Sequence, residues 1–266
     1  VVSPGWRAGT VPVAGGHLAY HRTGGDGPPL VLSHGLTDNG LCWSRLATAL
    51  APAFDVIMLD ARGHGESSGF EGVEVRDPAR DLAEAIDALG LNAPILMGHS
   101  VGARATAACA AARPGLAAKV ILEDPPLVPP TEPASIKPRG RRFREQVERF
   151  HAMTEAEITS MGRGQSPLWH DDDFPAWAAS KRQVDPDAMP AYATRWQDEL
   201  LAIACRSLLI RGDAEAGGMV TPALADEAAA LNPRLQVAYI PGAGHNVRRE
   251  NFEAYLAAVR TFLAEP

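Results

Sequence analysis

Short apolar runs alternate along most of this chain with longer stretches in which apolar residues recur every three or four positions. The runs Leu30–Ser33, Val56–Leu59, Pro94–Met97, Lys119–Leu122, Ser207–Ile210 and Leu235–Ile240 have the length and composition of strands. Between them, Pro78–Leu89 places Leu82, Ile86 and Leu89 on one helical face, and Arg248–Ala264 does the same with Phe252, Tyr255, Leu256, Val259 and Phe262. Two shorter pieces, Thr10–Val13 and His17–His21, flank Gly15-Gly16 and predict a hairpin. Alternation of this kind predicts an α/β fold: a mostly parallel central sheet with helices on both faces, binding its ligand at the carboxyl ends of the strands. The chain has no internal repeat.

One segment breaks the alternation. From residue 125 to 202 the chain turns proline-rich and then becomes helical with scattered aromatics, which predicts a core made of 1–124 and 203–266 and a helical insertion over 125–202. Within the insertion, Arg139, Arg141, Arg142 and Arg144 read as a solvated helix face with glutamate partners, the alternative being that one arginine meets an anionic substrate group. Asp171-Asp172-Asp173 reads as a solvated helix cap, since its spacing fits neither a calcium loop nor a two-histidine site. Trp169, Trp177, Trp196, Met153 and Met161 read as the insertion's own core.

Chemistry enters at Gly98-His99-Ser100-Val101-Gly102, which sits where the run Ala93–Met97 gives way to an alanine-rich helical stretch. A chain that reverses sharply between strand and helix holds the central residue in strained backbone geometry and needs small neighbours. Gly98, Gly102 and Ala103 supply them. The Ser100 hydroxyl would then stand exposed at the sheet's top, with the Val101 N–H and the helix N-terminus beside any negative charge that forms on a bound carbonyl oxygen. Pro241-Gly242-Ala243-Gly244-His245-Asn246 follows the last strand-like run, so His245 lies on a flexible loop able to reach Ser100 as general base.

Nucleophile first and histidine last, on a strand–helix alternation, resembles the α/β-hydrolase superfamily in its cofactor-free serine-hydrolase branch. Two more stretches carry the resemblance: Leu30-Val31-Leu32-Ser33-His34-Gly35-Leu36, similar to the strand and H-G-x turn, and Asp60-Ala61-Arg62-Gly63-His64-Gly65-Glu66-Ser67, similar to D-x-R-G-x-G-x-S. The likeness implies an oxyanion hole from the backbone N–H groups of Leu36 and Val101, structural roles for His34, His64 and His99, no cofactor and no metal. It also implies that the insertion is a lid. The family pattern places the acid in G-x-x-D after the seventh strand, where this chain reads Arg211-Gly212-Asp213-Ala214-Glu215 through Pro222. Asp213 is taken first because it is the aspartate of that turn; Glu215 holds the counted position, and Asp124 after the sixth strand is a third candidate with Glu123 a weaker variant. Were Asp124 the acid, the long loop 212–222 would be released from catalysis. The activity implied is hydrolysis of a small carboxylic ester or lactone through a Ser-His-acid triad and an acyl-enzyme. Amide, thioester or C–C hydrolysis, perhydrolysis, or binding without turnover as a small-molecule receptor stay open as alternatives.

Composition narrows the partners. With 266 residues, 46% of them hydrophobic, the chain can bury one large core. A net charge of -7 argues against nucleic acid or an anionic membrane surface as partner, leaving a small-molecule substrate. No apolar run reaches the roughly 20 residues of a membrane span, and Val1–Trp6 lacks the features of a secretory signal. Cys42, Cys109 and Cys205 are an odd number without metal-like spacing, which predicts free thiols and a cytoplasmic protein. Composition does not reach oligomeric state.

Overall fold

The structure, a computed structural model, describes residues 5–73 and 76–265; of the N-terminal stretch read for a leader, residues 1–4 lie outside the described residues. Eight strands form one sheet: β1 Arg7–Val13, β2 Gly16–Arg22, β3 Pro29–Ser33, β4 Asp55–Leu59, β5 Ile95–His99, β6 Lys119–Glu123, β7 Arg206–Arg211 and β8 Leu235–Tyr239, in the order β1-β2-β4-β3-β5-β6-β7-β8. The β1–β2 and β2–β4 pairs are antiparallel and all others parallel. The predicted α/β class and every predicted strand are therefore present.

Ten α-helices and three short 3-10 turns complete the described chain, the α-helices being α1 Ser44–Leu50, α2 Pro78–Ala88, α3 Val101–Ala112, α4 Pro133–His151, α5 Glu155–Gln165, α6 Phe174–Lys181, α7 Trp196–Ala202, α8 Pro222–Leu231, α9 Val247–Glu250 and α10 Phe252–Ala264. Their starts are written locally. Asp77 accepts from the N–H groups of Ala79 and Arg80 ahead of Pro78, and Thr154 and Glu157 form a reciprocal capping box. The single helix expected over 248–264 divides at Asn251 into α9 and α10. Among the described residues no helix is long and apolar enough to cross a membrane.

Strand alternation splits the core in two. Val31, Leu96, Val120, Leu122 and Leu209 face one side and pack with α2, α3 and α7. Leu30, Leu32, Met97, Ile121, Leu208 and Ile210 face the other and pack with α1 and α10. Because each central strand is buried on both faces, the parallel sheet is fixed in register and its carboxyl ends become a rigid platform.

The helical insertion, α4 through α7 between β6 and β7, crosses those carboxyl ends. Its small core joins Phe143 and Val147 to Val184 and Ala188, and Leu36 of the sheet body packs against them. Trp169, Phe174 and Trp177 form an aromatic cluster with ring centroids 5.6 to 6.3 Å apart. Trp196 belongs elsewhere: it packs with Leu200 in the core beside α3. The Asp171–Asp173 turn is only partly solvated, since Asp173 is buried and lies 3.4 Å from Arg45 while Asp171 pairs with Arg163 at 2.9 Å.

The turn from β5 into α3 is the tightest point of the fold. Ser100 adopts φ 54 and ψ -123, a costly conformation for a residue with a side chain. A Cβ on Gly98 would stand 2.5 Å from the Gly102 backbone, and one on Gly102 would stand 2.4 Å from the carbonyl oxygens of Ser33 and His34. These neighbours are backbone, so they cannot rotate away. Gly102→Ala should therefore destabilise the protein by about 1–3 kcal/mol, the usual cost of overpacking a filled interior. Urea unfolding checks this; an unchanged midpoint would show that α3 can withdraw from β3.

Candidate active site

Ser100 follows β5, Asp124 follows β6 and His245 lies beyond β8, so three strand ends carry three side chains to one place. The Ser100 hydroxyl donates to His245 Nε2 across 3.1 Å, and His245 Nδ1–H donates to Asp124 Oδ2 across 2.6 Å. Asp124 is wholly buried. Its carboxylate also accepts from the backbone N–H groups of Met219 (2.8 Å) and Val220 (2.9 Å), which fix its plane. Asp124 shares with Ser100 a positive φ, here 42, another strained backbone at a strand end.

This corrects the expected acid. Asp213 points away from His245: it accepts from the Tyr239 hydroxyl and, at 2.7 Å, from the Gly242 N–H, and those two bonds lower its pKa. Glu215 is exposed on the same turn. The physical reason is position in the sheet. β6 is hydrogen-bonded to β5, whereas β7 is one strand further out, so the residue after β6 reaches the imidazole over Ser100 more directly. Nor is the loop 212–222 released, because Met219 and Val220 within it hold Asp124.

The backbone turns named for the oxyanion lie beside Ser100. Leu36 and Val101 line the same cavity, and Val101 is the first residue of α3, whose N–H has no intrahelical acceptor. The Gly35 carbonyl, in the same peptide unit as the Leu36 N–H, accepts from His34 Nδ1 at 2.8 Å, and the Leu36 carbonyl accepts from His64 Nε2 at 2.6 Å, so the peptides on both sides of Leu36 are held.

The other histidines of the site are bound to backbone. His34 Nδ1–H donates to the Gly35 carbonyl (2.8 Å), and its Nε2 accepts from Ala61 N–H (2.9 Å), which requires the neutral ring. His99 Nε2–H donates to the His245 carbonyl at 3.0 Å and so holds the loop that carries the imidazole. Its Nδ1 is buried without a partner.

Beneath these groups lies a charge cluster that sequence reasoning missed. Buried Asp38 accepts from Lys181 (2.9 Å), Arg248 (3.1 Å) and Arg249 (2.9 Å). Burial alone would raise its carboxyl, but Arg249, Lys181 and Arg248 outweigh that and hold it well below the usual range. Arg248 also reaches Glu123, whose Oε1 accepts the Arg248 backbone N–H at 2.9 Å. Burial raises the Glu123 pKa, with Arg248 opposing. One network thus ties the loop after β3, the end of β6 and the start of α9 to α6 of the insertion. A signal existed in the sequence: Arg248 and Arg249 open an apolar-striped helix right after the His245 loop, where solvated charges have little room.

A cavity of about 550 Å³ opens over Ser100, walled by residues of the insertion. Trp169, Trp177 and Met161 line it, as does Arg139; Met153 does not. Arg144 pairs with Asp187 rather than with a glutamate, while Arg141 and Arg142 are exposed. Among the described residues no group of three or more His, Cys, Asp or Glu is placed to hold a metal ion.

A strained serine at a strand–helix turn, bonded to a histidine on a later loop over a parallel sheet, defines an α/β hydrolase. The chain belongs to the alpha/beta hydrolase family, whose model matches residues 30–258. It is 30% identical to N-formylmaleamate deformylase of Pseudomonas putida over 96% of this chain and 98% of that protein. It is 29% identical to 2-(acetamidomethylene)succinate hydrolase of Mesorhizobium japonicum, covering 91% of this chain and 90% of that one. Among solved structures, E-2-(acetamidomethylene)succinate hydrolase superposes with a TM-score of 0.80 over 98% of this chain and all (100%) of that chain, at 24% identity. The enol-lactonase of Burkholderia xenovorans gives a TM-score of 0.71 over 97% of this chain and 100% of that one, also at 24% identity. At that identity the likeness shows the fold; the family match and the curated relatives make the chain a hydrolase.

The buried histidines give a pH test. Burial, then the neighbouring His64, pushes His34 down to about 3. An unfolded histidine titrates near about 6.5, so the unfolded chain takes up a proton that the folded one refuses. The corresponding stability is complete above about 6.5 and is lost as pH falls toward His34's folded value of about 3. At about pH 5.5 the His34 share should be roughly 1.4 kcal/mol, with buried His99, also lowered, acting in the same direction. Urea unfolding at about pH 7.5 and about pH 5.5 measures the slope, and His34→Gln should flatten it by that share. An equal slope in the variant would mean that the folded protein admits the charged ring.

Proposed function

We propose that the chain hydrolyses a small carboxylic ester or lactone through an acyl-enzyme on Ser100. The observation that carries the reading is the continuous relay from Ser100 Oγ through His245 to Asp124, at 3.1 and 2.6 Å. Ser100 Oγ attacks the substrate carbonyl carbon as its proton passes to His245 Nε2. The carbonyl oxygen becomes an oxyanion received by the N–H groups of Leu36 and Val101, each such donor being worth about 3 kcal/mol of barrier. His245 then protonates the leaving oxygen as the C–O bond breaks. A water enters, gives a proton to Nε2 and attacks the acyl carbon, and the proton returns to Ser100 as the acid is released. Throughout, Asp124 holds Nδ1–H, fixing the tautomer and stabilising the imidazolium.

In this reading the insertion 125–202 is a lid: its aromatic and methionine side chains wall the cavity and exclude water from the acyl-enzyme until the alcohol has left. A second reading is amide hydrolysis. It is favoured by the two curated relatives, whose names denote N-acyl substrates that are also carboxylates. The same relay serves it, since His245 would protonate the leaving nitrogen. Matched aryl esters, lactones and anilides separate the two classes.

A fluorophosphonate should label Ser100, and Ser100→Ala should abolish both labelling and ester turnover, read by mass spectrometry and steady-state kinetics. Labelling elsewhere, or turnover retained in the variant, would overturn the assignment.

For the acid, Asp124→Asn should lower kcat by about 10⁴-fold, by analogy with the serine-protease triad, whereas Asp213→Asn and Glu215→Gln should cost far less. The reverse order would return the role to the β7 turn.

A further inference from the structure

The walls of the cavity over Ser100 carry more positive charge than they can satisfy. Its charged lining side chains, apart from His245, are Arg139, Lys181, Arg249 and Asp38. Asp38 is already shared by Lys181, Arg249 and the underlying Arg248. Glu123 adds one carboxyl beneath them, but it is engaged by Arg248 and Tyr255 and does not line the cavity. No further carboxylate remains among the lining residues for Arg139. This cation excess sits in a protein of net charge -7, so it is local to the site rather than a property of the whole surface.

Arg139 is oriented but not neutralised. On α4 it stands seven residues before Gln146 and eleven before Phe150, both of which also line the cavity, so the helical period turns the three to one face. Its Nη1 donates to Thr131 Oγ1 at 3.2 Å, and that hydroxyl is itself held by the Tyr192 backbone N–H at 2.9 Å. Tyr192, a lining residue, has its phenol pushed up to about 12, by burial first and against the pull of Arg104 and Arg139. Three arginines bordering or within the insertion have carboxylate partners, Arg104 with Glu199, Arg144 with Asp187 and Arg163 with Asp171, while Arg141 and Arg142 are exposed to water and do not line the cavity. Among the described residues none is placed within ion-pair reach of Arg139. A half-buried guanidinium fixed at one nitrogen keeps a fork of donors free for a planar anion, which is the geometry of a carboxylate.

We propose that the substrate acylating Ser100 carries a carboxylate, and that Arg139 receives it as a specificity residue on the cavity wall. The inference rests on the acyl-hydrolase reading for its reaction, and on Arg139 alone for its selectivity. The anion would meet Arg139 in a pocket walled elsewhere by Trp169, Trp177 and Met161, where reduced hydration strengthens a charged hydrogen bond. Electrostatics would then select the substrate and the strand-end relay would cleave it.

The test uses matched pairs in which a free carboxylate is replaced by its methyl ester. The charge sits on the acyl side in a mono-4-nitrophenyl adipate and on the leaving group in 4-acetoxybenzoate. The wild-type chain should favour the free acid of at least one pair in kcat/KM, and the favoured pair tells which side of the scissile bond faces Arg139. Arg139→Gln should lower that acid-to-methyl-ester ratio by about ten- to a hundredfold, the worth of a hydrogen bond to a charged group, and Arg139→Lys should restore part of it. A wild type indifferent to charge in both pairs, or a ratio unmoved by Arg139→Gln, would overturn the proposal. If no ester turns over and Ser100 is not labelled, the acyl-hydrolase reading fails separately. Calorimetric binding of adipate then decides: affinity lost in Arg139→Gln supports the anion site, and equal or absent binding in both proteins refutes it.

Discussion

The reversal of the chain at Ser100 is the constraint on which the rest of the site is hung. α3 can start where it does only because Gly98 and Gly102 let backbone touch backbone, with Gly102 set against the carbonyls of Ser33 and His34. That contact docks the helix on the end of β3, whose continuation carries Leu36. The Ser100 N–H donates to the Glu123 carbonyl at 2.9 Å, so the same reversal is sewn to the end of β6, one residue before Asp124. Strain at Ser100 is therefore over-determined by its neighbours. Removing it would mean moving the turn at Leu36 and the Asp124 carboxylate together.

The buried ions below continue this logic at a cost. Taking Asp38, Arg248, Arg249 and Lys181 out of water is unfavourable, and the paired geometry does little more than offset it; deleting one partner would strand the others at roughly 3–5 kcal/mol. Their use is specificity of arrangement. Arg248 is three residues past His245 and bonds both Glu123 and Asp38, while His99 bonds the His245 carbonyl. Stacking completes the arrangement: the Arg248 and Arg249 guanidinium carbons lie 4.2 and 4.4 Å from the ring centroids of Trp43 and Trp169, and their Nε atoms have no hydrogen-bond partner. The loop that must deliver an imidazole to Ser100 is thus held by charge on one side and by a neutral histidine on the other.

How much of this was legible follows from which interactions are local. Strand runs, the small residues around Ser100 and the glycine-rich loop at His245 are written in contiguous sequence, because sterics and chain reversal act over a few residues. The carboxylate on His245 is a different matter. Counting from Gly212 leads to Asp213 or Glu215, yet the outcome depends on which strand lies beside β5 and on where an eleven-residue stretch, 212–222, folds back. Asp124 needed Met219 and Val220 N–H groups from 95 and 96 residues away. No local pattern encodes that encounter. Asp38 and Lys181, 143 residues apart, were hidden for the same reason.

The division between scaffold and wall also explains why reaction class is more readable than substrate. Ser100 and Asp124 follow central strands buried on both faces, and His245, beyond the edge strand β8, is tied back to them by the His99 bond to its carbonyl, so their geometry follows from the sheet. The cavity walls come from α4 to α6, which possess only a small core of their own around Phe143, Val147, Val184 and Ala188. Side chains on that layer can change without disturbing the strand ends. Arg139 illustrates the consequence: along the sequence it is one of five arginines on a polar helix, and only the turn of α4 over the cavity separates it from the four that do not line it. A chemistry set by the sheet and a selectivity set by the helices above it are two separable layers, and only the first has a signature that can be read along the chain.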